Sequence, residues 1–145
     1  MIKNSYGLND FIYINNASTG HLQLSVFHNV VNTPIENARV LIFRISYSGI
    51  YNEIAEGRFV AEYTTDKDGS TPRINLPVLN ELMPGNKDYY YVSVIANGYN
   101  DAFIFNVQIY PNILSSYRMY LVHKGYSDVV FNFITQPTRT EIHRH

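Results

Sequence analysis

Apolar and polar side chains alternate one for one in segment after segment of this chain, and no segment of useful length repeats its apolar residues at helical spacing. A period of two sends successive side chains to opposite faces of an extended backbone, so each such segment reads as a strand. His21 to His28 is the clearest case, with Leu22, Leu24 and Val26 on one face. Ala38 to Ile45 carries apolar residues on both faces, which predicts a central strand covered on each side. Arg58 to Thr65, Tyr89 to Asn97, Ala102 to Tyr110, Ser116 to His123 and Asp128 to Ile134 continue the pattern. Arg73 to Pro77 reads as a short edge strand, because Pro77 has no N–H for a ladder. Turn chemistry separates these runs: Asn15 to Gly20, Asn32-Thr33-Pro34, Asp66-Lys67-Asp68-Gly69 and Asn97-Gly98. Ser46 to Gly57 reads as a polar hairpin tip, Val78 to Gly85 as room for one helical turn, and Gln136 to His145 as a polar tail. Short strands at this spacing predict an all-β fold, an antiparallel β-sandwich of Greek-key type.

The 145 residues suit one domain, with enough chain to bury a core without disulfides or metals. The expected organisation is an N-terminal arm over 1–19, the sandwich over 20–123, and a C-terminal strand and tail over 124–145. Cysteine is absent, which removes disulfide, zinc-thiolate and thiol-nucleophile chemistry. A formal net charge of -1 and the lack of any basic run argue against a nucleic-acid partner. No apolar stretch approaches the ~20 residues of a membrane span, so no membrane insertion is expected. Met1 to Tyr6 lacks the apolar region of a signal peptide, and cytoplasmic synthesis follows as the expectation.

Three segments in combination resemble a known family. Pro34-Ile35-Glu36-Asn37-Ala38-Arg39-Val40 resembles the entry to the second strand of carboxypeptidase-regulatory-like, transthyretin-type domains. Thr64 to Pro72 resembles their Thr-Asp-x-x-Gly hairpin. Asn97-Gly98-Tyr99, followed by Asn106 to Pro111, resembles their Gly-Tyr turn and next strand. Pro72, Leu76, Pro77 and Val107 to Pro111 are similar to the N-terminal β-domain of clostridial spore cortex-lytic enzymes and related Firmicute spore proteins. The resemblance covers about residues 20–123 and implies a transthyretin-like sandwich in a spore or wall setting. The lytic activity of those enzymes lies in a separate catalytic region and is not carried over. The motif residues themselves read as fold determinants: glycines where a Cβ would clash, and Tyr99 packed over one end of the sandwich.

Residues with chemistry are present but scattered. Glu141, His143 and His145 share one face of an extended segment, yet Arg144 sits between the histidines. Asp66, Asp68 and Gly69 superficially match the start of a calcium loop and lack its remaining ligands. Glu53, Glu56 and Glu62 are dispersed, and His21, Ser25 and His28 lie along one strand without a nucleophile elbow. No enzyme, cofactor or metal is expected.

Two features remain for binding. Tyr89, Tyr90 and Tyr91 put rings on both faces of one strand, and the outward ones are candidates for glycan or protein contact. The arms carry strand-like apolar runs, Phe11, Ile12, Tyr13 and Ile14, and Val129, Val130, Phe131, Phe133 and Ile134. They can dock within the subunit or add to the open edge of a neighbour. The resulting expectation is a non-enzymatic structural subunit, a homo-oligomer or fibre, at a spore surface or in an appendage. The alternative is a module that binds peptidoglycan or other spore and wall components.

Overall fold

The computed structural model describes residues 18–48, 54–79, 88–125 and 137–142. They form β1 (Thr19–His28), β2 (Arg39–Ser48), β3 (Ile54–Thr64), β4 (Ile74–Pro77), β5 (Tyr89–Ile95), β6 (Ala102–Val107), β7 (Ile113–Leu121) and β8 (Thr138–Glu141). One sheet has the order β4-β1-β7-β8 and the other β3-β2-β5-β6, so the chain is a β-sandwich. Among the described residues there is no helix long and apolar enough to cross a membrane.

The core lies between the sheets, where the alternating positions meet. Leu22, Leu24 and Val26 from β1, Val40 and Ile42 from β2, Val92 and Val94 from β5, and Tyr117, Met119 and Leu121 from β7 are buried together. Two hydroxyls anchor the turns in this apolar layer. Thr65 Oγ1 accepts from Ala38 N at 2.9 Å and donates to the Ile35 carbonyl at 2.6 Å. Thr71 Oγ1 accepts from Leu24 N at 3.1 Å. Each satisfies a buried amide that would otherwise cost the fold about 1–3 kcal/mol.

The pairing is not antiparallel throughout. β1 and β7 run parallel, from His21 opposite Leu114 to His28 opposite Leu121. Turn signals report only local hairpins, and five strands separate this pair in sequence. The β2–β3 hairpin is also longer than its polar residues suggested, continuing to Ser48 and resuming at Ile54. Ser46 reads as a hairpin-tip residue from sequence because the group it bonds is remote. Asp88 Oδ2 accepts from Arg44 Nη2 at 2.7 Å, from Arg44 Nε at 3.0 Å and from Ser46 Oγ at 3.0 Å. Within the supposed polar tail, Thr138–Glu141 forms the edge strand β8 against Ile113–Ser116. All four β8 residues are exposed, so no apolar alternation marked them.

Candidate functional site

The outer face of the β3-β2-β5-β6 sheet carries the most distinctive group of side chains. Period-two alternation puts Val40 and Ile42 inward on β2 and leaves Leu41, Phe43, Ile45 and Tyr47 outward. On β5 the same rule buries Tyr90 completely and turns Tyr89 and Tyr91 out. On β6 it buries Ile104 and turns Phe103 and Phe105 out. Strand register then aligns the rings across the sheet. Phe43 stands opposite Phe59 of β3 and opposite Tyr91 of β5.

The result is a continuous aromatic row. Ring centroids lie 5.9 Å apart for Phe59–Phe43, 5.9 Å for Phe43–Tyr91, 5.1 Å for Tyr91–Phe105 and 5.8 Å for Tyr91–Phe103. Phe105 is 53% exposed, the outermost ring of the row. Most pairs are tilted or edge-on, with interplanar angles of 72° for Phe43–Phe59 and 53° for Phe43–Tyr91. Rings in that geometry grip one another, each contact contributing about 0.5–1.5 kcal/mol beyond area. Tyr91 and Phe103 are the exception, stacked at 22°. Toward the hairpin, the Tyr47 and Tyr89 hydroxyls bond at 3.0 Å.

The tyrosine set read from sequence is therefore corrected. Tyr89 and Tyr91 are on the face, but Tyr90 is a core residue whose hydroxyl donates to the Pro77 carbonyl at 2.6 Å, tying one sheet to the other. Phe43, Phe59, Phe103 and Phe105 were missed. The apolar residues on both faces of Ala38 to Ile45 were the available signal, but only strand register shows that the rings join. The arm residues Phe11 to Ile14 and Val129 to Ile134 lie outside the described residues.

Burial raises the Tyr91 phenol above its ordinary value, with the Asp101 carboxylate adding to the effect. Tyr89 is pushed up to about 12, first by the hydrogen bond with Tyr47, then by burial and by the charge Tyr47 would carry. A phenol with a raised folded-state pKa keeps its proton longer folded than unfolded. Its contribution to stability is full below the unfolded value of about 10 and is lost as pH climbs through the folded one. Tyr47→Phe should therefore bring the Tyr89 titration down toward the ordinary range, in an ultraviolet phenolate titration. An unchanged curve would mean that the hydroxyl pair does not form in solution.

The opposite sheet treats its outer aromatics differently. The Arg118 guanidinium lies 4.2 Å from the Phe27 ring centre, and its Nε donates to Tyr120 Oη at 2.8 Å. The Arg139 guanidinium lies 5.0 Å from the Tyr110 ring centre. Among the described residues no guanidinium stacks on Phe43, Tyr91, Phe103 or Phe105.

The scattered polar candidates are not brought together. His21 and His28 lie at opposite ends of β1, about 23 Å apart at the rise of an extended strand. Ser25 Oγ meets Ser70 Oγ at 3.4 Å. Glu62 pairs with Arg39 at 2.8 Å, and Glu56 is exposed. Asp66 Oδ1 accepts from the amides of Asp68 at 2.9 Å and Ser70 at 3.1 Å, which commits that oxygen to its own turn. Tyr99 does pack over one end of the sandwich, edge-on to His28 and His123 at 5.7 and 5.5 Å. Among the described residues no group of three His, Cys, Asp or Glu side chains could hold a metal. Glu53, His143 and His145 lie outside the described residues.

No protein-family model and no curated protein matches this chain. Solved structures similar to it include a shaft pilin SpaA from Lactobacillus rhamnosus GG, at 14% identity and TM-score 0.46, over 76% of this chain and 48% of the pilin. Hydroxyquinol 1,2-dioxygenase from Pseudomonas putida DLL-E4 matches at 13% and 0.47, over 74% of this chain and 57% of the enzyme. Catechol 1,2-dioxygenase from Acinetobacter sp. ADP1 matches at 13% and 0.48, over 88% and 58%. The chain spans about half to three-fifths of the length of these three proteins. At these scores the likenesses assign neither family nor activity. The β-sandwich that the sequence motifs implied is the fold observed; the narrower transthyretin-type assignment has no matching family model behind it.

Proposed function

We propose that this chain is a non-enzymatic assembly subunit that joins its neighbours by strand addition at the β6 edge. The observation that carries this reading is the uncharged, aromatic chemistry of that edge among the described residues. Natural sandwiches blunt their edges with charge, proline, brevity or bulges. β3 carries Glu56, Arg58 and Glu62; β4 is four residues long and ends in Pro77; β8 is four residues long and carries Arg139 and Glu141. β6, Ala102–Val107, carries no charge and borders an aromatic face; its one protecting device is a bulge at Asn106, where φ is 57°. Strand donors are the apolar arm segments Phe11 to Ile14 and Val129 to Ile134. A donor from one subunit and an acceptor on the next make a heterologous contact, which repeats into rings or fibres. The spore-surface or appendage setting comes from the sequence resemblance alone. A glycan-binding role is the second reading: Tyr91 and Phe103 stack at 22°, while Phe43 is tilted against both its neighbours.

Two full-length variants test the reading: Ile12→Asp with Ile14→Asp, and Phe131→Asp with Phe133→Asp. Electron microscopy should show wild-type assemblies that are lost in at least one of them. Assemblies unchanged in both would overturn strand addition by the arms.

A further inference from the structure

We infer that His28 is a pH-sensitive latch: its unprotonated Nδ1 holds the Val30–Val31 turn between β1 and β2, and protonation releases that turn. The device does not depend on strand addition at the β6 edge.

His28 is the last residue of β1. Its Nδ1 accepts from Val30 N at 3.1 Å and, more weakly, from Val31 N at 3.4 Å. Two N–H groups can share only a lone pair, so this nitrogen carries no proton while the turn is held. Apolar packing does not take the acceptor's place, because Val30 is 68% and Val31 61% exposed. The base of the loop is closed separately, by His28 N donating to the Thr33 carbonyl at 2.8 Å and Asn32 N donating to the His28 carbonyl at 3.0 Å. Loss of the imidazole acceptor therefore frees the turn and leaves β1 in its ladder.

A second histidine shows why His28 is the sensitive one. The His123 ring centre lies 6.4 Å from that of His28, and Tyr99 stands edge-on to both. His123 Nδ1 lies 2.8 Å from the Lys124 carbonyl oxygen. A carbonyl can only accept, so this Nδ1 carries a proton and a second proton enters at Nε2 without breaking the bond. His28 has no such choice. Its neutral ring already carries the proton on Nε2, and a second must enter at Nδ1, facing two N–H groups. With both rings charged, like charges also face each other across the cluster.

The surrounding charges do not cancel this. Lys124, next to His123, is a further cation. In the β5–β6 turn Tyr99 faces both rings, while Asp101 acts instead on Tyr91 of the outer face. The β3–β4 turn, which packs on Val26 and Pro34, carries Asp66, Lys67 and Asp68, and Asp66 Oδ1 is committed to its own turn. Glu36 is exposed in the β1–β2 connection. Among the described residues no carboxylate forms an ion pair with His28.

Nitrogen–proton NMR of the valine-labelled full chain tests the latch between about pH 8 and pH 5, where imidazoles titrate. It can be run in solution, or by magic-angle spinning on assemblies. The Val30 amide should move along the same curve as the His28 ring signals and lose its hydrogen-bonded shift at acid pH. His28→Asn puts an acceptor, Oδ1, where Nδ1 stood and cannot titrate, so there the Val30 amide should stay in place throughout. His123→Gln should keep the Val30 response, because the acceptor belongs to His28. A Val30 amide that does not move while His28 titrates would overturn the inference. So would a response that persists in His28→Asn, or one that vanishes in His123→Gln, since the proton would then act elsewhere.

Discussion

Asp88→Ala should cost the folded chain roughly 3–5 kcal/mol, the range for stripping one partner from a buried ion pair. Asp88 is 6% exposed, and in the pair its side chain and that of Arg44 keep 9% and 15% of their surface. Three donor contacts converge on one carboxylate oxygen: Nη2 and Nε of Arg44, and Oγ of Ser46. Removing the carboxylate leaves a guanidinium with little water to replace it. The charge cannot be shed, because arginine does not deprotonate in this range. The double substitution Arg44→Met with Asp88→Leu removes both charges at once and should recover most of the loss. Urea denaturation checks both. A loss below about 1 kcal/mol for Asp88→Ala would mean that the pair behaves as a solvated surface contact.

The second large effect comes from a methyl group. A Cβ at position 20 would sit 2.2 Å from the Tyr110 carbonyl oxygen and 2.6 Å from Ile109 Cγ2. The segment that passes over β1 here is tied down by Asn112 N donating to the Thr19 carbonyl at 3.0 Å. Backbone cannot swing aside as a flexible side chain can, so Gly20→Ala must displace either β1 or the turn before β7. Overpacking of this kind costs about 1–3 kcal/mol and occasionally more. The upper end applies here, which is a fall of roughly 10 °C in Tm for a chain of this size. Gly57→Ala is the control: its added Cβ meets only the flexible Ile45 Cδ1, at 3.3 Å. It should change stability by less than about 1 kcal/mol, because that side-chain end can give way. Similar losses at both positions would show that the close approach at Gly20 is relaxed in solution.

Gly20 also shows where sequence reading ran out. It stands in a cluster of turn residues and reads as a turn glycine, yet it lies inside β1. What requires it is the β6–β7 connection about ninety positions away, at Ile109 and Tyr110. Where the cause was local, the sequence was legible. The alternation of Leu22, Leu24 and Val26 placed β1, and Asp66 to Gly69 make the turn that their types favour, with Gly69 at a φ of 78°. Where the cause was a partner distant in the chain, it was not. Ser46 looked like a hairpin-tip residue without Asp88, and Thr138–Glu141 is a strand only through the ladder of β7.

The aromatic face was half legible for the same reason. Period two predicts that some of Tyr89, Tyr90 and Tyr91 must point outward, but not which ones. Tyr90 goes inward because its hydroxyl reaches the Pro77 carbonyl across the sandwich. The phenylalanines on β2, β3 and β6 join the row through register, which no single strand encodes.

Molecular mass in solution, followed by light scattering over a hundredfold range of concentration, is the most direct check on self-association as the working property of this sandwich. Mass should climb with concentration well beyond 16.7 kDa. A constant 16.7 kDa across the whole range would contradict strand addition at the β6 edge.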